Sequence, residues 1–326
     1  MERRAFIGTL AGSLLAAPLA VEAQQAEKRY CIGYLDDFPL TFGTPDFLAR
    51  ALQQRGWEQQ RDYVFEARWA DHKPERLVEF AAELVGSKVN VIVARGNQAA
   101  TAASGATRDI PIVFNAVSDP VEAGLAGSLG RPGGNVTGVA SGVGPAAAKQ
   151  LELLHETLPP GLALVAVLWV GMTHPDASVW RQVQEVGHRL GITLRSTVVA
   201  DQTSLQRALT GLSQTPPGAV LVYSDGPDEG YLTALGKFAI RKRVPIISNS
   251  AVLTWSGGLM SYARNLAEGW ARTADYVIRL RNGARPADLP VQQPETFQLL
   301  LNRGTFKALG LTIPPSLLQR ADQVIE

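Results

Sequence analysis

Short apolar runs alternate with amphipathic segments along most of the chain. The apolar runs have the length and composition of β-strands, and each ends at a turn-forming or polar cluster. The predicted strands are residues 31–35, 63–69, 89–94, 112–115, 136–140, 164–169, 193–198, 219–222 and 246–248.

Between these runs, segments such as 45–55, 74–86 and 205–212 carry apolar residues at helical spacing. The runs 89–93 and 164–168 are almost continuously apolar, which is typical of strands covered on both faces. Strands alternating with helices predict an α/β fold with doubly wound parallel sheets.

Three breaks interrupt this series. Turn-forming residues cluster at 131–135 and 256–258, and residues 283–294 are rich in Pro and Ala. We interpret them as three hinge crossings between two lobes. Lobe 1 is predicted at 28–137 plus 262–292, and lobe 2 at 138–261 plus 293–326. Ligands of such sheets bind at the carboxyl ends of the strands, so the sequence predicts a cleft site between the lobes.

The first 23 residues have the three parts of a cleavable export signal. Arg3 and Arg4 precede an uncharged run from 5 to 21, and Val21-Glu22-Ala23 fits a cleavage site. The arginine pair also fits the twin-arginine type of signal, with general export as the alternative. A membrane anchor is the weaker interpretation, because the run is shorter than a spanning helix needs. We therefore expect a periplasmic mature protein.

Charge and cysteine content argue against nucleic acid as a partner and against a disulfide within the chain. The 31 basic and 30 acidic residues balance, so there is no electrostatic footprint for nucleic acid. Cys31 is the single cysteine, which excludes an internal disulfide. We expect a monomer.

No catalytic, metal or cofactor motif stands out. Residues 142–147 form a G-x-G-x-x-A, but no acidic residue follows at the next strand end, as a dinucleotide site requires. The four histidines lack metal-like spacing, and no nucleotide P-loop or nucleophile elbow is present. The sequence predicts no catalytic residues, no metal and no cofactor.

Several segments in fixed order resemble one family. They are residues 77–85, 110–114, 119–121, 131–138, 257–262 and 310–317. Together they look like the ABC transporter substrate-binding protein family that includes tryptophan- and tyrosine-type binding proteins. The resemblance implies a type I periplasmic binding protein fold: a hinged clamp without catalytic activity that delivers a small solute to a membrane permease.

In such a clamp, loops that follow strands and enter helices present free backbone N–H groups to a ligand. The lobe 1 candidates are Asp37 and Thr41 after the first strand, Arg95, Gly96, Asn97 and Gln98 after the third, and Asn115, Ser118 and Asp119 after the fourth. Arg95 is suited to a ligand carboxylate or to an inter-lobe salt bridge. Asn97 and Asp119 are equally suited to capping a helix.

In lobe 2 the equivalent positions are Trp169, Asp225 and Asn249. Asp225 is suited to a ligand ammonium or to a helix cap, and Trp169 to stacking on a ligand or to the core. Trp255, beside the second break, is a further candidate to line the cleft from the hinge side.

An amino acid or an aromatic or carboxylate compound is the favoured solute. Two alternatives remain open at this level: an exported ligand-sensing subunit of a membrane receptor, and an exported α/β enzyme.

Overall fold

Two sheets organise the chain. The computed structural model describes residues 29–38, 45–71, 73–172, 175–224 and 229–326. The first sheet is parallel, in the order β2-β1-β3-β4-β5, and forms lobe 1. Its strands are β1 (Tyr30–Asp36), β2 (Tyr63–Trp69), β3 (Val91–Arg95), β4 (Ile112–Val117) and β5 (Val136–Ala140).

The second sheet has the order β12-β11-β10-β9-β8-β6-β7 and forms lobe 2. Among these strands β10 and β11 pair antiparallel, and the other pairs are parallel. The strands are β6 (Leu164–Val170), β7 (Thr193–Val199), β8 (Ala219–Ser224), β9 (Ile246–Ser248), β10 (Met260–Arg264), β11 (Phe297–Asn302) and β12 (Gln323–Ile325).

Helices cover both faces of each sheet. They are α1 (Asp46–Gln53), α2 (Pro74–Gly86), α3 (Gly96–Ala106), α4 (Val143–Thr157), α5 (Ala177–Leu190), α6 (Gln202–Gln214), α7 (Glu229–Lys242), α8 (Ala251–Trp255), α9 (Leu266–Arg281), α10 (Arg303–Leu309) and α11 (Pro315–Arg320), with a 3-10 turn at Pro286–Asp288. Local sequence explains where two of these helices begin. Asp176 caps the N-terminus of α5, and Asp201 forms a capping box with Ser204 at the N-terminus of α6.

The predicted α/β architecture is confirmed. All nine predicted strands are present, and β3 is buried along its whole length, as its continuous apolar run predicts. Apolar clusters fill both faces of each sheet. Strands β10 to β12 were not predicted, because their short, partly polar segments gain a partner only from distant parts of the chain.

Three crossings join the lobes. The first crossing leads from β5 to α4 around Gly142, and the second leads from β10 to α9. The third leads from the segment after the 3-10 turn into β11. Helix α9 packs on α1 and β4 of lobe 1. The turn at 131–135 leads into β5 and is not itself a crossing, because β5 is buried and completes the first sheet. The predicted boundaries at 137/138 and 261/262 thus fall inside β5 and β10.

The first and third crossings lie side by side. The N–H of Ala140 donates to the carbonyl of Gln292 at 2.8 Å, and the N–H of Gln292 donates to the carbonyl of Gly138 at 3.0 Å. Gly142 has φ +63°, and a Cβ there would come within 2.8 Å of Pro294. The hinge therefore requires glycine at this position.

Within the described ranges, no helix combines the length and the apolar character needed to cross a bilayer.

Candidate functional site: the cleft between the lobes

The carboxyl ends of the lobe 1 strands form one row. Trp69, Asp36, Arg95 and Asn115 are Cα partners across the adjacent strands β2, β1, β3 and β4. Parallel pairing in register therefore brings residues far apart in sequence to one edge of the sheet, facing lobe 2.

Asp36 and Arg95 are in contact at the centre of this row. The fully buried Asp36 carboxylate accepts hydrogen bonds from the Tyr34 hydroxyl at 2.8 Å and the Phe38 N–H at 3.1 Å. Arg95 Nη1 lies 3.4 Å from Asp36 Oδ1, and the guanidinium carbon lies 4.3 Å from the centre of the Phe38 ring. The ion pair with Asp36 lies within lobe 1.

A cavity of about 520 Å³ separates the two lobes at this edge. Its walls come from α1, β3, the hinge and the strand ends of lobe 2. They are Phe47, Arg95, Ser141, Val143, Ala146, Tyr223, Ser224, Asn249, Ser250, Ala251, Val252, Trp255, Ala263, Arg264, Asn265, Leu266, Ala267, Phe297 and Gln298. Such a volume suits a small organic molecule.

Large apolar side chains bordering the cavity remain open to solvent. Trp255 is 60 % exposed, Leu266 51 % and Phe47 38 %. The Phe47 ring lies parallel to the buried Trp270 ring and packs against it. Exposed apolar surface in a concave cleft is typical of a ligand-binding site.

On the lobe 2 side, Asn249 holds the end of β8. Its Oδ1 accepts the Ser224 N–H at 3.0 Å and its Nδ2 donates to the Ser224 carbonyl at 2.8 Å. The Tyr223 hydroxyl donates to the Val143 carbonyl at 2.7 Å, which ties β8 to the start of α4. The predicted residues Arg95 and Asn249 therefore both line the cavity, from opposite lobes.

Polar side chains that do not line the cavity also join the two lobes. The Ser118 hydroxyl donates to Asp176 Oδ2 at 2.5 Å, and Asn97 Nδ2 donates to the same oxygen at 3.1 Å. Asn97 Oδ1 accepts the Ser118 N–H at 2.9 Å, while Asp176 Oδ1 caps α5. We call Asn97, Ser118 and Asp176 the latch. An ion pair between Arg181 and Glu122, at 2.7 Å, joins the same two lobes.

Other predicted site residues have partners away from the cavity. Asn115 is buried and donates to Thr273 of α9 at 2.8 Å. Asp119 accepts the N–H groups of Val121 and Glu122, as its capping alternative predicts. Trp169 is fully buried and donates to Ser196 at 2.9 Å.

Three further predicted residues of lobe 1 lie in the described part of the chain. Gly96, with φ +82°, begins α3. Gln98 borders an apolar groove of about 670 Å³ between α2 and α3 on the outer face of lobe 1. Asp37 is half-buried directly after β1. Thr41 and Asp225 lie outside the described residues, and their roles stay predictions, as do all the ligand contacts.

Asp176 and Phe47 are the main residues that sequence reasoning missed. Asp176 precedes Ala177-Ser178 at the start of an amphipathic helix, which is a capping pattern and a usable signal. Phe47 gave no signal, because its role depends on the packing of α1 against α9.

Near the hinge, Glu268 links α9 to the third crossing. Its carboxylate accepts from the Thr296 hydroxyl and from the Thr296 N–H at 3.3 Å, and it pairs with Arg272 at 2.7 Å. Burial opposes ionisation, but the hydrogen bonds and the Arg272 charge outweigh it and hold the Glu268 pKa below its ordinary value. Burial would lower the pKa of Arg272, but the hydrogen bond with Glu295 and the charges of Glu268 and Glu295 raise it.

In the described part of the chain, no group of three or more His, Cys, Asp or Glu side chains is arranged to hold a metal ion. The cleft offers a buried guanidinium, hydroxyl and amide groups, and aromatic surface. This arrangement can bind an organic solute through hydrogen bonds and apolar contact.

The two lobes, three crossings and inter-lobe cleft define the type I periplasmic binding protein fold. The chain belongs to the family described as ABC transporter substrate binding protein, which matches residues 44–325. The predicted resemblance is confirmed.

Three relatives illustrate the similarity. The tyrosine-binding protein of Clostridioides difficile (strain R20291) is 24% identical over 285 residues, which are 87% of this chain and 81% of the relative. A conserved domain protein from Vibrio cholerae has TM-score 0.78 at 25% identity, covering 91% of this chain and 100% of that one. An ABC domain from Streptococcus pneumonia, solved in complex with L-Trp, has TM-score 0.77 at 24% identity over the same shares.

Proposed function

We propose that the chain is the exported solute-binding protein of an ABC importer and captures an aromatic amino acid between its lobes. The observation that carries the proposal is the cavity of about 520 Å³ between the lobes, bordered by Phe47, Tyr223, Trp255 and Phe297. Aromatic walls provide apolar contact for a ring, and Arg95 provides a donor for a carboxylate.

Family membership supports the transport role, and two relatives support the ligand class. One is named a tyrosine-binding protein and another was solved with L-Trp. The N-terminal segment, with Arg3-Arg4 and the site at Val21-Glu22-Ala23, supports export to the periplasm. A monomer would deliver the loaded clamp to a membrane permease, which engages the closed form in preference to the open one.

Calorimetric titration of the protein from Gln24 onward tests this proposal. L-Tyrosine, L-tryptophan and L-phenylalanine are compared with a hexose and a nucleoside. We expect micromolar affinity, on the order of −8 kcal/mol, for at least one aromatic amino acid and no heat for the sugar. Binding of the sugar or nucleoside alone would contradict the proposal.

A further inference from the structure

The positive charge of Arg95 is balanced by the Asp36 carboxylate without any ligand. Asp36 is fully buried and ends β1, and Arg95 is 8 % exposed and ends β3, with the two Cα atoms paired in register. The sheet itself therefore fixes the carboxylate beside the guanidinium, at 3.4 Å. Such a pair is far more stable than either charge buried alone.

The position of the guanidinium is restrained on two sides. The Phe38 ring lies 4.3 Å from its central carbon, and the Phe38 N–H is bonded to the Asp36 carboxylate at 3.1 Å. The Tyr34 hydroxyl holds the other carboxylate oxygen at 2.8 Å. Asp36 and Phe38 therefore both restrain the Arg95 guanidinium, and Asp36 also brings a negative charge to it.

We propose that Asp36 is a positioning residue that sets the charge selectivity of the cleft through Arg95. Because Asp36 offsets the guanidinium charge, the cleft favours a ligand without net charge over a monoanion of the same shape. Arg264 also lines the cavity, at the hinge, and is unchanged in every variant below. This inference rests on the proposed function.

Asp36→Asn tests it, because the change removes one negative charge and keeps the side-chain volume. The amide oxygen can still accept from the Phe38 N–H, and the Tyr34 hydroxyl can accept from the amide N–H. The probes are two pairs that differ in the ammonium group: L-tryptophan with indole-3-propionate, and L-tyrosine with 3-(4-hydroxyphenyl)propionate. The measured quantity is the ratio of the Kd of the monoanion to the Kd of the amino acid.

We expect D36N to lower this ratio about tenfold and Arg95→Gln to raise it about tenfold, as unscreened charges in a partly buried cleft should. Glu83→Gln is the matched control. It removes the same charge from lobe 1, but Glu83 pairs with Arg68 outside the cleft. E83Q should leave the ratio unchanged within about twofold.

The outcomes separate the two proposals. If the wild-type protein binds none of the four probes, the proposed function fails and this inference with it. If it binds them and a folded D36N leaves the ratio unchanged, this inference alone is overturned, whatever R95Q does. Should D36N fail to fold by circular dichroism, the double variant D36N/R95Q, which leaves neither partner of the pair charged, decides: its ratio should lie about tenfold below that of R95Q, and equal ratios overturn the inference.

Discussion

At the scale of single residues, the cleft combines restrained polar groups with apolar side chains that water still reaches. Trp255 ends α8 with 60 % of its surface exposed, in a chain whose other described tryptophans include the fully buried Trp169 and the almost fully buried Trp270. An aromatic surface left open in a cavity gains free energy when a ligand covers it.

Replacing Trp255 should therefore affect binding more than stability. We expect Trp255→Ala to weaken binding of an aromatic amino acid about tenfold, since a lost aromatic contact is worth about 1 kcal/mol or more. Its thermal unfolding should stay close to wild type because the side chain is largely exposed. Titration calorimetry and thermal melts measure the two effects. Val78→Ala, at another exposed apolar residue, is the control; equal affinity loss in both variants would count against a cleft role for Trp255.

Residue roles were only partly predictable from the sequence. Arg95 and Asn249 were predicted because they follow buried strands, and strand ends meet at the cleft. The partner of a polar side chain depends on long-range packing, which local pattern does not carry. The hydrogen bond from Asn115 to Thr273 spans 158 positions, and the latch bond from Ser118 to Asp176 spans 58.

At the scale of elements, the start of α5 has two roles. One oxygen of Asp176 caps the helix, and the other accepts hydrogen bonds from Ser118 and Asn97 of the opposite lobe. The arrangement of the lobes is thus stabilised by contacts that exist without ligand, and this carboxylate contributes to it together with the Arg181–Glu122 ion pair.

Asp176→Ala should open the unliganded clamp. We expect a larger radius of gyration by small-angle scattering and an affinity for ligand that falls about tenfold, from the loss of two inter-lobe hydrogen bonds. Asp201→Ala is the matched control, because it removes the cap of α6 at a comparable cost of about 1 kcal/mol and Asp201 touches no latch residue. An unchanged radius in D176A would contradict the latch.

The hinge elements should respond to acid through Glu268. Its pKa is lowered in the folded protein, so its stabilisation is complete above the unfolded pKa of about 4.3 and is lost as the pH falls through the folded pKa. We expect Glu268→Gln to lower the free energy of unfolding by about 1 kcal/mol at pH 7 and to make no difference at strongly acidic pH. Urea unfolding at both pH values measures this difference in the free energy of unfolding.

The exposed Asp288, paired with Arg285, provides the control for Glu268: D288N should change the free energy of unfolding little. A constant E268Q deficit at every pH would argue against ionic stabilisation of the hinge.

Elements were predicted better than connections. Apolar runs in the sequence predicted strands β1 to β9, because burial on both faces leaves a strong local pattern. The crossing after β5 was placed too early, since a Gly-rich turn looks the same whether it begins a strand or leaves a lobe.

At the scale of the whole molecule, one parallel and one mostly parallel sheet face each other at the carboxyl ends of their parallel strands, across a hinge of three chain crossings. This geometry lets a solute contact both lobes at once, so the contacts it gains on closure provide the free energy that favours the closed form. The central claim is that the solute is held between the lobes.

Hydrogen–deuterium exchange with and without L-tyrosine or L-tryptophan, whichever binds more tightly, tests that claim most directly. We predict that the ligand slows exchange at the start of α3 in lobe 1 and at the start of α8 in lobe 2 together, because Arg95, directly before α3, and Ser250 and Ala251, at the start of α8, line the cavity. Protection confined to one lobe, or centred on the outer groove between α2 and α3, would contradict it.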